Sequence, residues 1–132
     1  MGLDTSHNAW HGPYSSFMRF RELLAKQIGF NLREMEGFSD TTHTIHGTKK
    51  WADLPADDLH ILLDHSDCDG EISASDCLKI AVRLEEVAQY AQETMPNNSE
   101  GAEQQSELIE DCLRFAKGCR AAHQANEPLT FG

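Results

Sequence analysis

The residues from His65 to Asp76 have the types and spacing of a divalent-cation site. A twelve-residue calcium loop takes oxygen ligands at its first, third, fifth, seventh and twelfth places and turns sharply at a glycine in its sixth. Alternate side chains of such a loop point inward, so carboxylates two residues apart converge on one ion. Counting from His65, the glycine place falls on Gly70, and the predicted ligands are His65, Asp67, Asp69, the backbone carbonyl of Glu71, and Asp76.

The identity of the ion depends on His65, which stands at the first place, where oxygen is usual. Carboxylate and carbonyl oxygens suit calcium, which we predict as the ion, with magnesium as an alternative. Imidazole nitrogen suits zinc, copper or nickel better, so zinc is a second alternative. A third interpretation has no ion at all, because Asp-rich stretches with glycine before a helix often form simple turns and caps.

A family resemblance is carried by the loop and the residues after it. The sequence resembles the calcium loop and exiting helix of the EF-hand superfamily over the run Asp67-Cys68-Asp69-Gly70-Glu71-Ile72-Ser73-Ala74-Ser75-Asp76-Cys77-Leu78-Lys79-Ile80. The aspartate at the last place of the loop resembles the residue that dockerin-type loops have there. The resemblance implies metal binding that shapes a helix surface, but the sequence holds no second loop. A lone loop could pair with that of another copy, so a homodimer is predicted.

A second resemblance lies at the N-terminus. The N-terminal sequence pattern is similar to that of small uncharacterised proteins of bacteria and their phages. The residues that carry the similarity are Gly2-Leu3-Asp4-Thr5-Ser6-His7-x-x-Trp10-His11-Gly12-x-Tyr14-Ser15-x-Phe17. This similarity suggests an origin and carries no activity.

Two helices are expected to hold the loop, which gives an EF-hand-like helix-loop-helix over 54–91. Pro55 suits the first position of an entering helix whose buried side is Leu59, Leu62 and Leu63. Ser73 is a predicted N-cap for the exiting helix, with Asp76 in the first turn where the helix dipole favours a carboxylate. The exiting helix carries an apolar stripe at helical spacing: Cys77, Ile80, Ala81, Leu84, Val87, Ala88 and Ala91.

The rest of the chain is predicted to complete a mainly α fold, a small bundle of four to five helices. Residues 1–14 are expected to form an irregular N-terminal arm, followed by a helix from Ser16 to about Ile28 that ends at Gly29. Arg19, Arg21 and Lys26 are assigned to the solvated face of that helix. Residues 30–38 are predicted as a short helix or turn, and 39–53 as a short strand or a loop.

The second half continues in the same way. Trp51 is predicted to anchor the 39–53 segment to the core. A linker at 96–100 precedes a last helix over 102–122. The tail after Glu127 is expected to be extended, either docking through Leu129 and Phe131 or fraying.

Length and charge restrict the functions that the chain can have. A chain of 132 residues fits a single domain, 1–132. Its net charge of −11 disfavours binding of nucleic acid through a basic face and of anionic membranes. No apolar run is long enough for a membrane span and no signal peptide is recognised, so a cytoplasmic location is predicted. The four cysteines show no metal-binding spacing and are expected to be small core residues.

These observations favour a non-enzymatic, divalent-metal-binding helical module that mediates a protein-protein interaction. The first alternative is a hydrolase dependent on zinc or manganese, in which His7 or His11 joins His65, Asp67 and Asp69. The second is a metal-free acidic protein of the phage-inhibitor type, or a nucleic-acid mimic. The sequence contains no nucleophile elbow, glycine-rich phosphate loop or zinc-protease motif, and we therefore predict no enzymatic activity.

Overall fold

A computed structural model describes residues 2–39, 42, 44–65, 70–94 and 99–131, without the side chains of 2 and 99–102. Two predicted ligands, Asp67 and Asp69, lie outside the described residues. The elements are β1 (Gly2–Asp4), β2 (His11–Pro13), α1 (Tyr14–Gln27), α2 (His60–Leu63), β3 (Glu71–Ile72), α3 (Ala74–Glu93), α4 (Ser99–Gln124) and β4 (Leu129–Thr130), with 3-10 turns at Ser6–Asn8, Leu32–Glu34 and Trp51–Asp53.

The two long helices, α3 and α4, form the framework. The predicted stripe of α3 is buried along its full length, and it packs on the apolar side of α4. Two polar contacts show that the helices run antiparallel. His123 Nδ1 lies 2.9 Å from the Ala74 carbonyl oxygen, and Arg120 makes a two-bonded ion pair with Glu85 at 2.6 and 2.7 Å. Both helices were predicted, although α4 begins three residues before 102 and ends two after 122.

The first helix adds an aromatic cluster to this framework. Phe17 and Phe20 of α1 are fully buried and contact Phe115 of α4 at ring-centroid distances of 6.3 and 6.1 Å. Trp10 stacks on Phe20 at 5.2 Å and so joins the N-terminal segment to the same core. Gly29 has a φ of 104°, which agrees with its predicted role in ending the helix.

The N-terminal arm is an ordered hairpin, so the prediction of an irregular arm over 1–14 is wrong. Strands β1 and β2 pair antiparallel, with Leu3 opposite Gly12. The turn between them rests on α4 at Gly118, where an added Cβ would lie 2.5 Å from Ala9 Cβ. Leu3 is buried on the core, and this burial explains why the arm is fixed.

The entering helix is shorter than predicted. The sequence placed a helical start at Leu54-Pro55, whereas α2 holds only His60–Leu63. Asp57 explains the difference, because its Oδ1 accepts a hydrogen bond from Leu59 N at 2.9 Å, in the manner of a side-chain-capped turn. The same carboxylate pairs with Arg83 of α3 at 3.0 Å. Helical structure therefore begins after Asp57, while Leu59, Leu62 and Leu63 are buried as predicted.

The segment between α1 and α2 is a packed loop. Its described part makes only two isolated bridges, Met35 with Lys49 and Ser39 with His46, and no longer strand. Gly47 sits so close to the Met35 carbonyl that a Cβ there would overlap it. Trp51 anchors the segment as predicted, contacting the rings of Phe30 and His60 at 5.7 and 5.2 Å. Over the described ranges, no helix is long and apolar enough to cross a membrane.

One carboxylate on α4 is held in an unfavourable environment. Burial raises the pKa of Asp111 to about 6, and the neighbouring charges of Glu107 and Glu110 add to this effect, while Arg114 opposes it. Asp111 therefore binds its proton more tightly in the folded protein than in the unfolded chain.

Candidate functional site

The described part of the predicted loop has the backbone course of a turn that enters a helix. Gly70, at the sixth place, has a φ of 90°, a conformation that a residue with a Cβ resists. Glu71 and Ile72 then form β3, and α3 begins at Ala74. Three predicted ligands, His65, Glu71 and Asp76, are described, whereas the remaining two fall outside the described residues.

The last predicted ligand lies in the first turn of α3. Ser73 caps this helix, because its Oγ accepts a hydrogen bond from Asp76 N at 3.2 Å, as predicted. The Asp76 carboxylate is partly exposed, and its Oδ1 lies 3.9 Å from Lys79 Nζ. This exposed ion pair is weak, so it leaves the carboxylate oxygens accessible to a cation.

Two predicted ligands contact each other directly. The Nε2–H of His65 donates to the carbonyl oxygen of Glu71 at 3.1 Å. The imidazole also stacks on the Phe131 ring, with centroids 4.3 Å apart. An added Cβ at Gly70 would lie 3.3 Å from His65 Cε1, so the glycine gives the ring its space. A cation that used either His65 Nε2 or the Glu71 carbonyl would compete with this hydrogen bond.

The C-terminal tail pairs with the loop strand. Strand β4 runs antiparallel to β3, with Glu71 opposite Thr130 and Ile72 opposite Leu129. Phe131 N adds a bond to the Gly70 carbonyl at 2.9 Å. Leu129 is fully buried and Phe131 nearly so, which decides between the two expected alternatives: the tail docks through these residues and does not fray. The chain's own tail therefore pairs with this edge of β3, and the homodimer stays a prediction.

The N-terminal turn holds the tail from the other side. Thr130 N donates to Ser6 Oγ at 2.9 Å, and His7 Nε2 lies 3.1 Å from a Glu127 carboxylate oxygen. His7 thus contacts the tail and not the described loop ligands. His11 is exposed on β2, 3.5 Å from Asp4. Within the described ranges, no three His, Cys, Asp or Glu side chains are grouped closely enough to hold a metal ion.

Arg21 of α1 is a structural contact to the loop that the sequence reasoning missed. It was assigned to the solvated face, but its side chain is buried and donates from Nη1 to the carbonyls of Leu63 at 3.1 Å and His65 at 2.7 Å. Its guanidinium lies 4.9 Å from the Phe17 ring centroid. The signal was present, because Arg21 follows Phe17 by four residues and precedes Leu24 by three, which places it on the apolar stripe.

Two thiols lie in the core on the two long helices. Cys77 of α3 and Cys119 of α4 are fully buried. Cys77 Sγ also lies 3.6 Å from the carbonyl oxygen of Ile72, in β3. Cys112 is buried elsewhere on α4, and burial raises the pKa of its thiol to about 12. The prediction that these three cysteines are core residues is confirmed, whereas Cys68 lies outside the described residues.

Comparison of the chain with protein-family models, curated proteins and solved structures gave no match.

Proposed function

We propose that this protein is a non-enzymatic helical module that binds a divalent cation, calcium, in the loop 65–76 and contacts a protein partner. The observation that carries the proposal is the backbone course of the loop. A glycine of positive φ at the sixth place is followed by a short strand and by a capped helix that bears a carboxylate at the twelfth place.

The ligand set of the proposed site combines described and undescribed residues. Asp67, Asp69 and Asp76 supply carboxylates, Glu71 supplies its carbonyl, and His65 stands at the first place. Four of these five positions provide oxygen, which is the donor that calcium prefers. Since Glu71 O accepts from His65 Nε2, its use as a ligand requires the imidazole to turn away or to exchange that bond. This requirement predicts modest affinity.

The proposed ion links parts of the fold that are distant in sequence. The loop begins directly after α2, which Arg21 ties to α1, and ends in α3. Strand β3 inside the loop is paired with the C-terminal tail. Ordering the loop would therefore stabilise the relative positions of these elements. A partner surface is offered by large apolar side chains exposed on the two long helices: Val82, Tyr90 and Leu113.

Calorimetric titration of the metal-stripped protein with calcium, magnesium and zinc tests the proposal. Calcium should bind with a stoichiometry of about one, as expected for a single loop. Asp76→Asn should weaken binding about tenfold or more, because it removes one ligand charge. Asp53→Asn is the matched control, since this exposed aspartate has the same chemistry and lies outside the loop. Equal affinities of the two variants would count against the site, and absence of heat with all three ions would remove the proposal.

The contact between His65 and Glu71 favours one second candidate. Because the protein closes this part of the loop with its own hydrogen bond, the turn can also serve as a metal-free structural element. The function would then lie in the acidic surface, as in an inhibitor or a nucleic-acid mimic. Silence in the titration, together with unchanged partner binding by Asp67→Asn and Asp69→Asn, would support this candidate.

A further inference from the structure

Cys77 and Cys119 are brought together by the register of the two long helices. The Ala74 carbonyl, one turn before Cys77, meets His123, one turn after Cys119, at 2.9 Å. Antiparallel packing at this register sets the two cysteines opposite each other, and both side chains are fully buried. Cysteines that face each other across two packed helices are placed as a disulfide requires.

The reactive form of a cysteine is the thiolate, and a neighbouring cysteine resolves the sulfenic acid that oxidation forms on it. Two facing cysteines therefore supply both the attacking and the resolving thiol of a disulfide reaction.

We propose that Cys77 and Cys119 form a dithiol site that hydrogen peroxide oxidises to a disulfide between α3 and α4. The thiolate of one cysteine attacks one peroxide oxygen, the O–O bond breaks, and the hydroxide that leaves takes up the proton of that thiol to form water. This cysteine is then a sulfenic acid. The sulfur of the other cysteine attacks it, the attacking thiol's proton and the sulfenic hydroxyl leave as a second water, and the S–S bond forms. Two thiols are oxidised and one peroxide is reduced to two waters.

The C-terminal tail controls access to this site. Cys77 Sγ lies 3.6 Å from the carbonyl oxygen of Ile72, which pairs with Leu129 of the tail, and both thiols are fully buried. The tail is held by the short β3–β4 pairing and by the packing of Phe131 on His65 and Phe17. Short peripheral elements open locally more often than the helices they cover. Peroxide therefore reaches Cys77 when the tail lifts from β3.

Mass spectrometry of the reduced, full-length protein after peroxide treatment tests the proposal without any substitution. The intact mass should fall by about 2 Da and return after dithiothreitol, because disulfide formation removes two hydrogens. Digestion should give one linked peptide pair that contains Cys77 and Cys119. A linkage through Cys68 or Cys112, or alkylation of all four cysteines after unfolding, would overturn the proposal.

Variants test the assigned roles. In Cys119→Ser and in Cys77→Ser, the remaining cysteine of the pair should stop at the sulfenic acid and be labelled by dimedone, whereas Cys112→Ala should cross-link as the wild type does. Phe131→Ala should speed cross-linking about tenfold or more by loosening the tail. Thr130→Ala is the matched control, because that side chain is exposed. Equal rates for these two tail variants would refute the covering role, and absence of dimedone labelling in both serine variants would refute the sulfenic acid step.

Discussion

Replacement of Arg21 by methionine is the most direct test of how the loop is attached to the fold. Methionine keeps the length and apolar stem of the arginine but cannot donate to the carbonyls of Leu63 and His65. Those two acceptors lie at the end of α2 and the start of the predicted cation loop. Loss of the guanidinium leaves them without this donor and removes its contact with the Phe17 ring.

The size of the effect follows from these contacts. A hydrogen bond from a charged donor contributes about 1.5–3 kcal/mol, and the ring contact contributes about 1 kcal/mol. Relief of the cost of burying a guanidinium offsets part of this loss. The expected net decrease in the free energy of unfolding is about 3 kcal/mol. With a urea dependence of about 2 kcal/mol per molar, the midpoint should fall by about 1.5 M.

Urea denaturation followed by circular dichroism measures this shift, and Arg19→Met provides the matched control. Arg19 lies on the same helix but is exposed, and its ion pair with exposed Glu107 at 3.0 Å should contribute less than about 1 kcal/mol. Arg21→Lys should give an intermediate result, because lysine keeps the charge without the planar fork. If Arg21→Met lowers the midpoint no more than Arg19→Met, the bonds to the loop carbonyls do not stabilise the fold and the reasoning is refuted.

Three further predictions concern other parts of the molecule. Because the pKa of Asp111 is raised to about 6 in the folded state, its contribution to stability is present below pH 4 and is lost as the pH rises through about 6. Asp111→Asn should therefore be more stable than the wild type at pH 7.5, by about 1–2 kcal/mol after allowance for the partial exposure of Asp111. Equal stability of the two proteins at this pH would show that burial does not disfavour the charged carboxylate. Gly118→Ala should lower the thermal midpoint, because the new Cβ would displace Ala9. This cost should exceed the gain of about 1 kcal/mol from the higher helix propensity of alanine. A raised midpoint would show that the hairpin shifts at little cost. His65→Asp should raise calcium affinity about tenfold by supplying an oxygen ligand. The same change should weaken the attachment of the C-terminal tail, because the ring contact with Phe131 is lost. Calorimetry showing unchanged affinity would exclude the first place of the loop as a ligand position.

The parts of the fold that could be predicted are those encoded by local patterns. The stripe from Cys77 to Ala91 and the cap at Ser73 are sufficient to predict α3, because periodicity and capping act within a few residues. The predicted start of α2 was wrong, in part for a non-local reason. A helix that starts at Leu54-Pro55 has Asp57 in its first turn, whereas the Asp57 carboxylate caps a turn and binds Arg83 across the fold.

Sequence reasoning predicted the turn at Gly70 and the cap at Ser73 but missed the contacts that hold this segment. The turn and the cap could be predicted from spacing, since each is set by residues within a few positions. The pairing of β3 with β4 joins residues 71 and 130, and no pattern in either segment names the other. Arg21 was misassigned because charge was given more weight than position on the helix. Periodicity alone would have placed it on the buried side.

The closure of the tail on the N-terminal hairpin has a kinetic consequence. The bond from Thr130 N to Ser6 Oγ spans 124 positions, whereas α3 and α4 meet through a short connection. Contacts of such high sequence separation carry a large loop-closure entropy, so the helical hairpin should assemble before the tail docks. Leu129→Ala should accordingly accelerate unfolding and leave the refolding rate nearly unchanged in stopped-flow experiments. A refolding rate that falls in proportion to the lost stability would instead place the tail in the folding nucleus.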